Sequence, residues 1–74
     1  MLIYIKLLDN SKFEIEVDIN SSVLSLKYLI EDQLDVKYYA QRLLYNGSPM
    51  SDECSLWKYN LIEKSVIHLL IQMC

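Results

Sequence analysis

Polar and apolar residues alternate at both ends of the chain and change to a helical spacing between them. Met1, Ile3 and Ile5 share one side of an extended segment, with Leu2, Tyr4 and Lys6 opposite. Residues 12–18 give the cleanest alternation. Phe13, Ile15 and Val17 face inward, and Lys12, Glu14, Glu16 and Asp18 face water. Leu8-Asp9-Asn10-Ser11 joins the two as a turn, because Asp and Asn tolerate left-handed or side-chain-bonded conformations. The pattern predicts an antiparallel hairpin. Ser21 or Ser22 then offers a hydroxyl to a free amide of a following helix. Val23, Leu26, Ile30 and Leu34 fall on one helical face, and Asp35 ends the helix where Gly or Asn is usual. Leu24, Tyr28 and Leu29 widen the apolar arc. They form either a broad helix–sheet contact or a second contact surface on the back of the helix.

Residues 36–40 lead into a strand, Gln41–Tyr45, with Leu43 and Tyr45 inward and Arg42 and Leu44 outward. Asn46-Gly47 supplies the two positive-φ positions of a type I′ hairpin turn, and Gly47 is the only glycine in the chain. Ser48-Pro49-Met50 reads as a short return strand that Pro49 confines to a sheet edge. Residues 51–62 keep no period; Leu56, Tyr59 and Leu61 plug the open end of the core. The last strand spans residues 65–71. Ile67 and Leu69 share one face, and Val66, His68 and Leu70 the other. The order β-β-α-β-β-β predicts an α+β fold with one helix on one face of a mixed sheet.

Seventy-four residues predict a single domain, 1–74, and a hydrophobic fraction of 53% is enough to fill its core. A net charge of −3 and a pI near 4.9 argue against a nucleic-acid footprint. No apolar run approaches the ~18 residues of a membrane span, and residues 1–8 are too few for a signal peptide. Cys54 and Cys74 lack metal-ligand spacing and suit reduced thiols of a cytoplasmic or nuclear protein. The single histidine stands in no nucleophile motif. We therefore expect no catalytic residue, no metal and no cofactor.

The joint spacing of Met1-x-Ile3-x-Ile5-Lys6, Lys27, Ile30, Gln41-Arg42-Leu43, Gly47, Leu56, Tyr59-Asn60, Ser65 and His68-Leu69 resembles ubiquitin over the whole chain. The resemblance implies a β-grasp fold: a five-stranded mixed sheet packed against one α-helix. It implies a partly buried ion pair between Lys27 and Asp52. It also makes Leu8, Leu44, His68 and Leu70 the counterpart of ubiquitin's main recognition patch, with Arg42 and Gly47 beside them. Val36, Ile71 and Met73 resemble the second patch, and Leu2 and Tyr4 lie near a third. The partners implied are ubiquitin-binding domains or proteasome receptor subunits, held weakly and transiently, with no role for nucleic acid or membrane.

Several positions depart from that pattern. The chain ends Ile71-Gln72-Met73-Cys74 without the Gly-Gly of a conjugated modifier, and Gln72 and Cys74 replace two arginines. Lys6 and Lys27 match ubiquitin lysines, whereas Ser11, Leu29, Gln33, Ser48 and Glu63 stand where ubiquitin has lysine. Losing charge at 11, 48 and 72 makes the patch surround less basic and predicts slower electrostatic steering. Trp57 and the Tyr38-Tyr39 pair have no counterpart; they either make a private contact or cap the ends of the core. The expectation is a monomeric, noncovalent interaction domain, the amino-terminal part of a longer adaptor or shuttle. The alternative is a covalent modifier whose Gly-Gly tail has been trimmed.

Overall fold

The computed structural model describes residues 1–72. Strands β1 (Leu2–Lys6), β2 (Lys12–Glu16), β3 (Gln41–Tyr45), β4 (Ser48–Pro49) and β5 (Val66–Ile71) form one sheet in the order β2-β1-β5-β3-β4. Among the described residues one α-helix, α1 (Val23–Leu34), crosses one face. The sheet is mixed: β1 runs parallel to β5, and the other pairings are antiparallel. This is the five-stranded β-grasp architecture that the resemblance to ubiquitin implies.

Local chemistry sets the turns. Leu7 N–H donates to Ser11 O at 2.9 Å, and Asn10 closes the first hairpin with φ 70°. Asn46 (φ 54°) and Gly47 (φ 81°) both take positive φ, as a type I′ turn requires. The strands end a little differently from the alternation. β2 stops at Glu16, but Val17 stays tied to the first residue: its N–H donates to Met1 O at 2.8 Å, and the Met1 ammonium donates to Val17 O at 2.9 Å. β4 is two residues long rather than three, although Met50 N–H still reaches Leu43 O at 2.9 Å. β5 starts one residue late. Ser65 is spent on a turn, its hydroxyl accepting from Ile62 N–H at 2.9 Å.

Of the two candidate helix caps, Ser22 serves: its Oγ accepts the Ser25 amide at 3.1 Å. Asp35 terminates α1 in the left-handed region (φ 58°) and returns its N–H to Glu31 O at 2.8 Å. Past the helix, Gln41 is buried and donates both amide protons, to Lys27 O and Val36 O, each at 2.9 Å. Among the described residues its Oε1 has no partner, the cost of using one side chain to close two carbonyls at once.

Ile3, Ile5, Leu43, Ile67 and Leu69 from the sheet pack against Val23, Leu26 and Ile30 of the helix. Each such side chain contributes roughly 1.5–3 kcal/mol when removed from water. The stretch without a period contains a short 3-10 turn, Leu56–Tyr59, whose three-residue repeat leaves no amphipathic signature. Leu56 there is fully buried, with Tyr59 and Leu61 partly buried beside it. A second 3-10 turn, Tyr38–Ala40, links the helix to β3.

Candidate protein-interaction surface

The face of the sheet away from α1 is set by register. Antiparallel pairing of β3 with β5 places Leu44 opposite His68 and Arg42 opposite Leu70. Parallel pairing of β1 with β5 puts Lys6 level with His68. Lys12 lies across from Lys6 on β2, and Pro49 across from Leu44 on β4. One row therefore runs Lys12, Lys6, His68, Leu44, Pro49, with Arg42 and Leu70 as the neighbouring pair. Side chains facing each other across such a ladder stand about 4.5–5.5 Å apart at Cβ. His68 and Arg42 are exposed, and Leu44 and Leu70 are half-buried between their neighbours. Gly47 lies in the exposed turn just beyond β3.

Leu8, in the first turn, is 80% exposed, and no strand register sets it beside Leu44, His68 or Leu70. With Leu7, Asp9, Leu69 and Ile71 it lines a shallow pocket of about 230 Å³. The turn beneath it is held by Asp9, whose carboxylate accepts the Ser11 hydroxyl at 2.6 Å and the Ser11 N–H at 3.0 Å. The hydroxyl bond first, and the amide bond second, hold the Asp9 carboxyl below its usual value.

The charges of this face were not apparent from the net charge. Lys6 and Lys12 face each other across β1 and β2, an unfavourable like-charge pair. Lys12 leans away diagonally, its Nζ 4.9 Å from the centre of the Tyr4 ring. Among the described residues Arg42 makes one long contact, 3.4 Å to Gln72 Oε1, and a guanidinium fork of this kind can take a carboxylate. The acids of the same face, Glu14 and Glu16, lie further along β2, and Glu16 is engaged by the Met1 ammonium at 3.1 Å. A chain of net charge −3 thus carries a locally basic strip around its outward leucines. Lys6, Lys12 and Pro49 join the site only through register. Parity had turned the lysines toward solvent, but nothing local shows that β1 lies beside β5.

Val36 and Ile71 line a cleft of about 500 Å³ with Tyr39 and Ala40, and Ile71 also borders the Leu8 pocket. Met73, expected with them, lies outside the described residues. Leu2 and Tyr4 are half-buried, with Leu2 N–H donating to Glu63 at 3.2 Å.

Lys27 Nζ and Asp52 Oδ1 are 2.6 Å apart, with the lysine side chain 10% exposed and the aspartate 43%. Leu24 N–H also donates to Asp52 O at 3.1 Å, so residue 52 is anchored to the helix twice. The pair positions the 51–55 segment against α1; an ion pair of this kind is weak support for net stability. Among the described residues no His, Cys, Asp and Glu cluster could hold a metal ion, and no helix is long and apolar enough to cross a membrane.

Comparison with known proteins agrees with this architecture. The sequence is 33% identical over 73 residues to Ubiquitin-like protein 1 of Schizosaccharomyces pombe, covering 99% of this chain and 94% of that protein. It is 29% identical over 73 residues to the NEDD8-like protein RUB3 of Arabidopsis thaliana, covering 99% of this chain and 94% of RUB3. Over 72 residues it is 32% identical to Ubiquitin-like protein 4A of Rattus norvegicus, covering 97% of this chain but only 46% of that longer protein. Residues 3–74 match the Ubiquitin family, and the chain belongs to it.

Proposed function

We propose that this domain works by noncovalent binding. It presents Leu8, Leu44, His68 and Leu70, with Arg42 and Gly47 at their border, to ubiquitin-recognising modules or a proteasome receptor. Ubiquitin-like proteins are not enzymes, so function rests on surfaces and their partners. The observation that carries the reading is the β3–β5 register, which sets Leu44 against His68 and Arg42 against Leu70 on one outward face. Two half-buried leucines offer a partner roughly 1.5–3 kcal/mol each at most, before association costs. A small patch of this kind supports weak, transient complexes of a monomeric domain in the cytoplasm or nucleus. Its basic strip suits a partner with acidic residues around an apolar anchor.

Titrating the labelled domain with a ubiquitin-binding module tests the reading. Amides of β3 and β5 should shift, and Leu44→Ala or His68→Ala should weaken binding about tenfold or more, the scale of a central interface side chain. Unchanged affinity in both variants would remove the proposal.

A second reading is favoured by one observation: two relatives, Ubiquitin-like protein 1 and RUB3, match almost end to end, as a free-standing modifier would. Ubiquitin-like protein 4A, about twice as long as the match, favours an embedded domain. Sequencing the native carboxyl terminus separates the two. Gly-Gly before a stop, together with an adenylate or enzyme thioester formed by the native protein, would establish the modifier and end the noncovalent reading.

A further inference from the structure

The C-terminal end of α1 carries an aromatic surface that the sheet patch does not use. The Tyr28 and Tyr38 ring centres are 5.1 Å apart, and Tyr38 and Tyr39 meet edge to face at 5.4 Å. Two of these rings are open to solvent: Tyr28 is 48% exposed and Tyr39 72%. The backbone at Tyr38 is tied to the helix, because Glu31 accepts the Tyr38 N–H at 3.2 Å.

The charge around the rings selects the occupant. Tyr28, Glu31, Asp32 and Asp35 follow one stripe of the helix by their spacing. Lys37 is the nearby cation, and it sits 3.6 Å from Glu31. Among the described residues Asp32 and Asp35 take part in no ion pair. The last helical turn has no basic residue, so these carboxylates add to the negative end of the helix dipole instead of offsetting it. Tyrosine ring faces are themselves partially negative.

We propose that the Tyr28–Tyr38–Tyr39 surface is a second docking site, independent of Leu44, for an arginine-bearing segment of a partner protein. A guanidinium stacks flat on an exposed tyrosine and still offers edge N–H groups to a carboxylate. Tyr39 supplies a face in the cleft it shares with Asp35 and Lys37, and Asp32, one helical turn after Tyr28, adds charge beside that ring. Lysine fits less well, lacking the planar stack.

The test uses the full chain, isotopically labelled, with two capped peptides as probes: Gly-Arg-Leu-Arg-Gly and the same peptide with glutamine at both arginines. The arginine peptide should shift amides within residues 28–40, with less effect as salt rises. Tyr39→Ala should weaken it about three- to fivefold, the size of one exposed cation–π contact, while Tyr39→Phe retains binding. The pair Asp32→Asn with Asp35→Asn should weaken it further, and Leu44→Ala should leave it unchanged. Because Tyr39 is mostly exposed, its alanine variant should unfold at the wild-type temperature, so a loss of binding is not a loss of fold. Equal binding of the glutamine peptide, shifts centred on Glu14 and Glu16, or wild-type affinity in Tyr39→Ala would each overturn the proposal. So would concentration-dependent shifts of residues 28–40 without peptide, which would make a second copy of the chain the occupant.

Discussion

The outer face of the sheet and the C-terminal end of α1 both show apolar or aromatic groups to solvent, and they are built in opposite ways. The sheet face gathers residues from five strands, and Leu44, His68 and Lys6 meet only because distant segments pair. The helix end gathers Tyr28 through Tyr39 within a dozen residues, through helical spacing and one 3-10 turn. Their charges are opposite as well: Lys6, Lys12 and Arg42 border the first, and Glu31, Asp32 and Asp35 the second. A net charge of −3 averages over both and describes neither. The surface built from long-range pairing depends on the core behind it, whereas the local one depends mainly on its own helix.

The largest effect should come from that dependence. Leu43→Ala, at a buried position on β3, should destabilise the domain by about 2–5 kcal/mol in urea unfolding and disturb the sheet face with it. Its neighbour Leu44→Ala should cost less than about 1 kcal/mol, since Leu44 is only half-buried, while still weakening the partner. If the two variants lost equal stability, Leu44 would be a packing residue and the contrast between the sheet's two faces would collapse. At the helix end the sign should reverse. Asp32→Asn and Asp35→Asn remove charge that opposes the dipole, and Asn suits the left-handed backbone of residue 35. Stability should rise by about 0.3–1 kcal/mol in the same assay. A fall would show that these carboxylates serve the fold.

The smallest effect lies in the Leu8 turn. The folded Asp9 carboxyl titrates below its ordinary value of 3.8, so its bonds to Ser11 are complete above that pH. They are lost as pH falls through the depressed folded value. The Ser11 amide resonance should follow that titration, and Ser11→Ala should move it back toward the ordinary carboxylate range.

Residues alone revealed the strands and the helix. Alternation in residues 12–18 and the three- and four-residue steps from Val23 to Leu34 are direct imprints of backbone period. The Asn46-Gly47 turn was legible for a similar reason, since few residues accept two successive positive φ angles. The 3-10 turns were hidden because three or four residues are too few to set a pattern. The parallel neighbourhood of β1 and β5 was legible only through the resemblance to ubiquitin, because a period sets a side chain's face but not the strand beside it. Lys27 with Asp52 came from the same source. The tyrosine cluster was not legible because its rings belong to two elements, and by spacing Tyr28 reads first as part of a broad packing face.

The two outermost strands bear on how this domain behaves in a crowded solution. β4 is two residues long and contains Pro49, which has no N–H to offer another chain. β2, at the other margin, turns Lys12, Glu14 and Glu16 to solvent. A short margin with a proline and a charged margin are both poor templates for an added strand. A chain that is 53% hydrophobic is thereby guarded against strand-by-strand polymerisation. The same guard bears on recognition: neither margin offers a strand edge suited to backbone augmentation, which leaves the side chains of the broad surfaces for a protein partner.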